Sequence, residues 1–537
     1  MKIRRLLALL LVFAMAVLPL FITSCAKPDD DDGDDDDEYL EDTDVPPSFN
    51  GEIEKKFKNR RFTVLTREDR SGTQAFNIVD LVETKDDLGD SSIRTAVANR
   101  NSTIQDRLKV KIERDDVPDK QLGQHINTAL NSNDTTYGAI MNSVGGALNS
   151  AATTGRYVDF NSDVSYINLE ESWWDSAVIE NLLLYDGAYI ALGDINTVDD
   201  DATWCVLFNK QLYESFTGTK SSTLYQIVKD GNWTVERLRA IASSNYTKDN
   251  STKNKWLPNY AGRGTYGLYA QTECATVLLQ AGKMTPSRIP EGGGIPVDNI
   301  NGNNDFYTAI NTIYSLMGGT ASGEWYVDIS TDVPDKTHGD KWETVARAGF
   351  KSNRTLFFMC HVGTIDLIRD MTADFGILPI PKLNPSQEEY GNTIQYGNAL
   401  CYSVYSRYAV DKNADEFSAY VLEAMAYYSS PAYFNAIGAE DKSLRHEYRE
   451  TVLNTKATRD DESAEMLDYV FNNRVFDIAC ALNLLSGTGG KKGINEYIQE
   501  ECAKDQAHSF ANTYQSYIQG KLTTAFDEKL EKLREVG

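Results

Sequence analysis

The chain has 537 residues and a net charge of -26, and 25% of its residues are Asp, Glu, Lys or Arg. Twelve of the acidic residues lie between 29 and 44, yet the remainder is still acidic and no basic stripe recurs along it. That excludes nucleic acid as a partner, since neutralising phosphates requires clustered Lys and Arg, and the length allows two or more lobes with cores of their own.

Lys2, Arg4 and Arg5 precede an apolar run from Leu6 to Ile22, broken only by Pro19, and Thr23, Ser24 and Cys25 follow. A basic start, an apolar stretch and small residues make a targeting segment rather than part of the fold. Small residues directly before Cys25 resemble a bacterial lipoprotein signal, which implies cleavage at that cysteine and a lipid on its thiol. The run is short for a retained membrane span. Residues 1–24 are therefore expected as the signal and 25–50 as an acidic, disordered tether, kept extended by repulsion within Asp29–Asp32 and Asp34–Asp37. The other six cysteines are scattered without CxxC spacing. They read as buried small side chains, with one or two disulfides open and no metal site.

The body opens with a strand-like run from Arg61 to Leu65. A helix is expected over 92–108, a strand over 109–113, a helix over 119–131 and a strand over 137–141. Strands alternating with helices imply parallel pairing. The loops Thr66–Asp69 and Asn142–Val144 then share one rim. Two further strands are expected at Tyr189–Gly193 and Thr203–Phe208, around a polar loop. Thr234 caps a helix from Val235 to Ser243. A strand at Tyr266–Tyr269 leads to a helix at 275–282, and helices follow at 304–317 and 341–350. Thr355–Met359, the turn Cys360–Gly363, a helix at 364–371 and a strand from Phe375 to Ile380 repeat the strand–helix–strand unit of a doubly wound α/β sheet. Ligands of such sheets sit at the carboxyl ends of the strands. An apolar run from Ile394 to Val404, broken at Gly397-Asn398, precedes a mainly helical remainder.

Catalytic and nucleotide motifs fail on inspection. Gly262, Gly264 and Gly267 match a dinucleotide fingerprint in spacing, but follow a polar turn rather than a strand. Gly490-Lys491 lacks the flanking P-loop residues, and His446-Glu447 lacks the second histidine of a zinc helix. No cofactor, metal or catalytic residue is expected. The positive signal is aromatic: Trp173, Trp174, Trp204, Trp233, Trp256, Trp325 and Trp342 all lie in or beside polar turns. Flat aromatic faces stack on sugar rings while neighbouring polar groups take the hydroxyls.

Several segments together resemble one family. They are the lipoprotein start through Cys25, WWD at 173–175, DGAYIALGD at 186–194, WCVLFNK at 204–210, DGNWT at 230–234, and DFGILPIPK at 374–382 with Gln387 and Tyr390. In order and spacing they resemble extracellular solute-binding proteins of family 1, the lipoprotein receptors of carbohydrate ABC importers. The resemblance implies an α/β, two-lobe periplasmic-binding-protein-like fold with discontinuous lobes, a hinge, a ligand cleft and a helical C-terminal region. It implies lobes made of 51–195 plus 396–470 and of 196–395 plus 471–537, with chain crossings near 189–209 and 394–404. The implied partners are a carbohydrate, expected to be an oligosaccharide, the permease subunits and the membrane through Cys25, with the protein a monomer on the extracellular face. By position, the cleft would take Glu68 and Asn142 from rim loops, and Trp173, Trp174, Asp194 and Trp204 near the hinge. Glu273 and His361 would follow second-lobe strands, and Asn398 would come from the return strand. Two rival readings stay open. One is a glycoside hydrolase using Glu170 or Glu171 with Asp194, and the other is a receptor for peptides or other solutes.

Overall fold

The run RFTVLTR becomes strand β1 (Arg61–Arg67), and its last four residues are all buried. Burial on both faces is the mark of a parallel strand covered by helices. The computed structural model describes residues 56–69, 81–82, 91–184, 186–247, 264–290, 296–300, 303–317, 325–330, 342–407, 410–411, 413–483 and 498–499. The expected signal, Cys25, the acidic tether, Trp256, Gly262, Gly490-Lys491 and most of the chain beyond 483 lie outside these residues, as does the Trp342 side chain.

β1 pairs in parallel with β2 (Lys111–Val117) and with β3 (Tyr137–Ser143). The crossovers are α1 (Ser91–Leu108) and α2 (Leu122–Ser132). After β3 the chain turns at once into α3 (Val144–Thr154). A late strand, β11 (Leu400–Ser403), completes this first sheet by pairing antiparallel with β3, giving the order β2-β1-β3-β11.

The second sheet holds β4 (Trp204–Asn209), β5 (Tyr266–Ala270), β8 (Tyr326–Asp328), β9 (Thr355–His361) and β10 (Phe375–Leu378) in the order β10-β4-β9-β5-β8. β8, β5, β9 and β10 run one way, and β4 runs against both of its neighbours. A separate small hairpin pairs β6 (Ser287–Arg288) with β7 (Val297–Asp298). The two large sheets share one plan. In each, the single antiparallel strand is the first one laid down after the chain arrives from the other sheet. The chain passes from first to second between Ala191, which bridges Tyr402, and Trp204. It returns between Ile394, which bridges Thr203, and Leu400.

Helices cover the second sheet. α4 (Ser176–Asn181) and the short α5 (Val198–Asp201) precede it, and α6 (Lys210–Thr217), α7 (Ser222–Lys229) and α8 (Val235–Ser244) follow β4. Thr234 caps α8 as expected, its Oγ1 accepting from Arg237 N at 3.1 Å. α9 (Cys274–Ala281), α10 (Asn304–Met317), α11 (Trp342–Lys351) and α12 (Thr364–Ile368) alternate with the strands. Gly267 is a packing glycine of β5: a Cβ there would lie 2.1 Å from Ala242 O of α8. Gly267 thus serves helix–strand contact.

The late helices divide between the sheets. α13 (Ala414–Tyr428) packs on α1 and β3, and α14 (Pro431–Ala436) packs on α13. α15 (Leu444–His446) winds on as a π-helix over Glu447–Ala457, which touches α1, α12 and α16 (Asp461–Phe471). α16 lies on β10 and α7, and α17 (Ile478–Ala481) lies on α3. For 461–470 and 478–481 this reverses the lobes expected from the sequence. Apolar spacing tells that a helix buries one face, but not which sheet that face meets.

Two local expectations change as well. Tyr189–Gly193 forms isolated bridges, not a strand. Gly193 presses its backbone against Trp173, where a Cβ would fall 2.2 Å from the carbonyl oxygen. Cys360 and His361 end β9 rather than forming a turn. Among the described residues all five cysteines are buried and free, with Cys205 and Cys360 direct partners across β4 and β9.

Candidate ligand-binding cleft

Parallel strands aim their carboxyl ends at one rim, and that rim is where each sheet here gathers polar side chains. On the first sheet, β1 ends in Arg67, 2% exposed, whose Nη1 donates to Glu68 O at 3.1 Å. Arg114 on β2 fixes the loop beyond: it pairs with Asp69 at 3.1 Å and donates to Arg67 O at 3.2 Å. β3 ends in Asn142-Ser143. Ser143 caps α3 by accepting from Gly146 N at 3.2 Å, and Asn142 Oδ1 accepts from Ser143 N at 2.7 Å. A cavity of about 440 Å³ opens here, lined by Arg67, Asp119, Asn127, Asn142, Asn149 and Asn398 among others.

On the second sheet, β5, β8 and β9 end at Ala270, Asp328 and His361. Thr272 Oγ1 donates to Asp328 Oδ2 at 2.9 Å, and Ser330 N donates to Asp328 Oδ1 at 2.9 Å. Glu273 follows at the start of α9. Part of its side chain is open, but the surrounding protein raises its carboxyl to about 7, against a hydrogen bond from Gln395. His361 is 8% exposed. Burial, with a lesser contribution from Arg347, pushes its imidazole down to about 3, so it is neutral at physiological pH.

One dipeptide of the return crossing touches both rims. Tyr396 O accepts from Gly145 N of α3 at 2.9 Å, while the Gln395 side chain reaches Glu273. Gln395 Oε1 takes Gly397 N at 2.7 Å, which leaves its amide N–H groups to face Glu273. The polar ends of the two sheets therefore meet at Gln395-Tyr396, with Asn398 just beyond in the cavity.

The expected site residues scatter over three places. Asn142 and Asn398 come together in the first-sheet cavity. Glu273 follows a second-sheet strand as expected, whereas His361 is the last residue of its strand and is mostly enclosed. Glu68 is exposed beside the cavity without lining it. Trp174 and Asp194 line a different cavity, of about 360 Å³, shared with Asp199, Asp200, Arg449 and Arg474. The aromatic expectation is the main correction. Trp173, Trp174, Trp204, Trp233 and Trp325 are all buried, at 6%, 4%, 0%, 0% and 5% exposure. Trp173 stands edge-on to Tyr427, with centroids 5.0 Å apart. Trp204 lies against the His361 ring at 4.0 Å. Trp174 Nε1 donates to Glu423 Oε2 at 2.8 Å, and burial raises that carboxyl to about 7. These rings fill the core beneath polar turns, and none of them lines the first-sheet cavity.

Two of the three rival carboxylates are engaged, and Glu170 is exposed. Asp194 Oδ1 pairs with Arg445 at 2.8 Å, and burial still pushes its carboxyl up to about 6. Glu171 Oε1 accepts from Asn168 Nδ2 at 3.1 Å. Among the described residues no group of three or more His, Cys, Asp or Glu is arranged to hold a metal ion. Sequence reasoning missed Arg67, Asn127, Asn149 and Gln395. The available signal was positional: polar side chains at the carboxyl end of a parallel strand, on the first turns of the helices beside it, or in a crossing.

No protein-family model matches the chain, and no curated protein is similar to it. Among solved structures it is similar to an ABC substrate-binding protein from Listeria monocytogenes in complex with cycloalternan. That match is 12% identical at a TM-score of 0.47 and covers 89% of this chain and 98% of that one. A sugar transporter from Rhizobium etli in an open conformation is 14% identical at a TM-score of 0.48, covering 88% and 99%. An extracellular solute-binding protein of family 1 from Alicyclobacillus acidocaldarius is 10% identical at 0.45, covering 89% and 98%. At such identities and scores, what the site does has to be argued from its own geometry.

Proposed function

We propose that this chain is the substrate-binding subunit of an ABC importer for an oligosaccharide. The observation that carries the reading is the amide-lined cavity at the carboxyl ends of β1 and β3, where Gln395-Tyr396 joins it to the polar rim of the second sheet. Amide and hydroxyl side chains both donate and accept, which suits sugar hydroxyls. Asn127, Asn142, Asn149 and Asn398 supply such groups, with Ser143, Ser150 and Thr153 beside them. A volume of about 440 Å³ is in the usual range for a small-molecule site.

In this reading the two sheets are the cores of two lobes, and ligand closes them by binding the closed form better. The closed form is what the permease would recognise. No side chain needs to do chemistry, and the bound glycan is released intact. Cys25 carries the lipid that holds the protein on the extracellular face of the membrane, and the acidic tether keeps a monomeric body clear of it.

The test is a thermal-shift and calorimetry screen of residues 45–537 against mono-, oligo- and cyclic saccharides, with products analysed afterwards. A ligand at a hundredfold excess over its Kd should add about 2.7 kcal/mol of stability. A shift with one glycan class, recovered whole, supports the reading. Cleaved glycan would make the protein a hydrolase, and a shift with peptides alone would redirect it to that cargo. Anchoring is tested separately: Cys25→Ser in the full chain should move the protein from the membrane fraction to the medium.

A further inference from the structure

Among the described residues four passages join the two sheets, and three of them meet at one buried ionic cluster. The first passage, residues 192–203, supplies Asp194, Asp199 and Asp200. The third, through α15 and its π-helical continuation, supplies Arg445 and Arg449. The fourth, between α16 and α17, supplies Arg474. Arg474 Nη1 lies 3.0 Å from Asp199 Oδ2 and 3.3 Å from Asp200 Oδ1, and its Nη2 lies 2.5 Å from Asp175 Oδ2. Arg449 grips Asp200 with two nitrogens, each at 3.1 Å. Arg445 holds Asp194 at 2.8 Å, and Tyr448 donates to Asp201 Oδ1 at 2.5 Å. The Arg449 guanidinium also lies 4.2 Å over the Phe471 ring, on the helix that covers the second sheet.

We propose that Arg445, Arg449 and Arg474, with Asp194, Asp199 and Asp200, form a latch that binds three of the passages into a single hinge. The two sheets then turn as units about this cluster, instead of each passage bending on its own. Shared partners make the coupling specific. Asp200 accepts from both Arg449 and Arg474, so the third and fourth passages are joined through a residue of the first. Asp199, at 2% exposure, and Asp200, at 6%, offer little surface to water that could replace a lost cation. Removing one member of such a group leaves the others charged and uncompensated. The adjoining cavity of about 360 Å³ gives these side chains room to re-pair as the hinge turns. A π-helical turn is the sort of irregularity that recurs at functional positions, and here it aims Tyr448 and Arg449 at the same cluster.

The inference rests on the two-lobe reading but not on the identity of the ligand. Its test needs no ligand: native-state amide exchange of the body, followed peptide by peptide. Arg474→Gln strips Asp175, Asp199 and Asp200 of their common cation. Exchange should then quicken on the order of tenfold or more in both 194–202 and 444–453, with β1, β3, β5 and β9 unchanged. Asp199→Asn keeps an acceptor for Arg474 and lowers the negative charge, so it should loosen neither segment. Adding it to Arg474→Gln should restore part of the protection. Should Arg474→Gln fail to fold, Arg445→Gln, at the more open edge, should give the same pattern more weakly. Quickening confined to 472–477, equal quickening throughout both sheets, or loosening by Asp199→Asn equal to that of Arg474→Gln would each overturn the latch. Failure of the saccharide screen would instead sink the functional reading and leave this test standing.

Discussion

Trp204→Ala separates a core tryptophan from a ligand-stacking one. Trp204 begins β4, is 0% exposed and lies 4.0 Å from the His361 ring centroid. It sits where the first passage enters the second sheet, between Thr393, whose carbonyl accepts its N–H at 3.2 Å, and Asn392, whose side chain donates to its carbonyl at 2.6 Å. Cutting a buried indole to a methyl group removes its packing and leaves a cavity, at a cost of about 3–5 kcal/mol. For a cooperative unit of about 250 residues each kcal/mol moves Tm by about 2 °C, so the drop should be roughly 6–10 °C. Oligosaccharide affinity, measured well below that Tm, should fall by less than about threefold, because no face of the ring reaches the cleft. Scanning calorimetry gives the first quantity and titration calorimetry the second. An unchanged Tm with binding abolished would refute the argument and return Trp204 to the cleft.

Asn142→Ala and Asn398→Ala should behave oppositely. Both line the open cavity, so each should weaken oligosaccharide binding by about tenfold while moving Tm by no more than about 1 °C. Trp174→Phe keeps an aromatic ring, though a smaller one, but takes the N–H from Glu423, 1% exposed, and should cost about 1–3 kcal/mol by urea denaturation at pH 8. At pH 6 that cost should shrink, since Glu423 is raised to about 7 and is then protonated. Stability of the unaltered protein should also rise as pH falls from 8 to 6.5. Glu273 and Glu423, raised to about 7, and Asp194, raised to about 6, resist ionising in the fold but ionise freely once unfolded, and burial raises Asp199 in the same direction. Their penalty is full above the folded values and is relieved as pH drops through them. His361, pushed down to about 3, opposes this below about 6.5, where only the unfolded chain gains its proton. The net gain from pH 8 to 6.5 should be about 1 kcal/mol, and a Tm that falls over this interval would contradict it.

The alternating units were legible because their causes are local. The helix expected over 304–317 is found over Asn304–Met317, since periodic apolar residues bury one face whatever sheet lies beneath. Thr234 caps its helix through its own side chain. The antiparallel placement of β4 and β11 was not legible. Each is an ordinary apolar run, and its direction is set by the passage that delivers it and not by its residues. The fate of α16 and α17 was hidden for the same reason: which sheet accepts a helix depends on where the chain has already been.

Burial sets the expected aromatics apart from the expected amides: the rings lie in the core, and Asn142 and Asn398 line an open cavity. A tryptophan among polar neighbours looks like a surface ring, yet Trp173, Trp174 and Trp204 flank the passages where two sheets must be sealed by few residues. Large rings do that sealing, and the polar residues around them hold the backbone: Gly193 against Trp173, Asn392 on Trp204 O, Glu423 on Trp174. The rings close the core at the hinge, while the cavity at the strand ends in front of it is amide-lined. Position along a strand, and not residue type, then tells the two apart. Asn142 and Arg67 close parallel strands at the open rim, whereas Trp204 opens an antiparallel strand behind it. Ligand selection would accordingly come from hydrogen bonds at the strand ends, and closure from the sealed, charged hinge behind them.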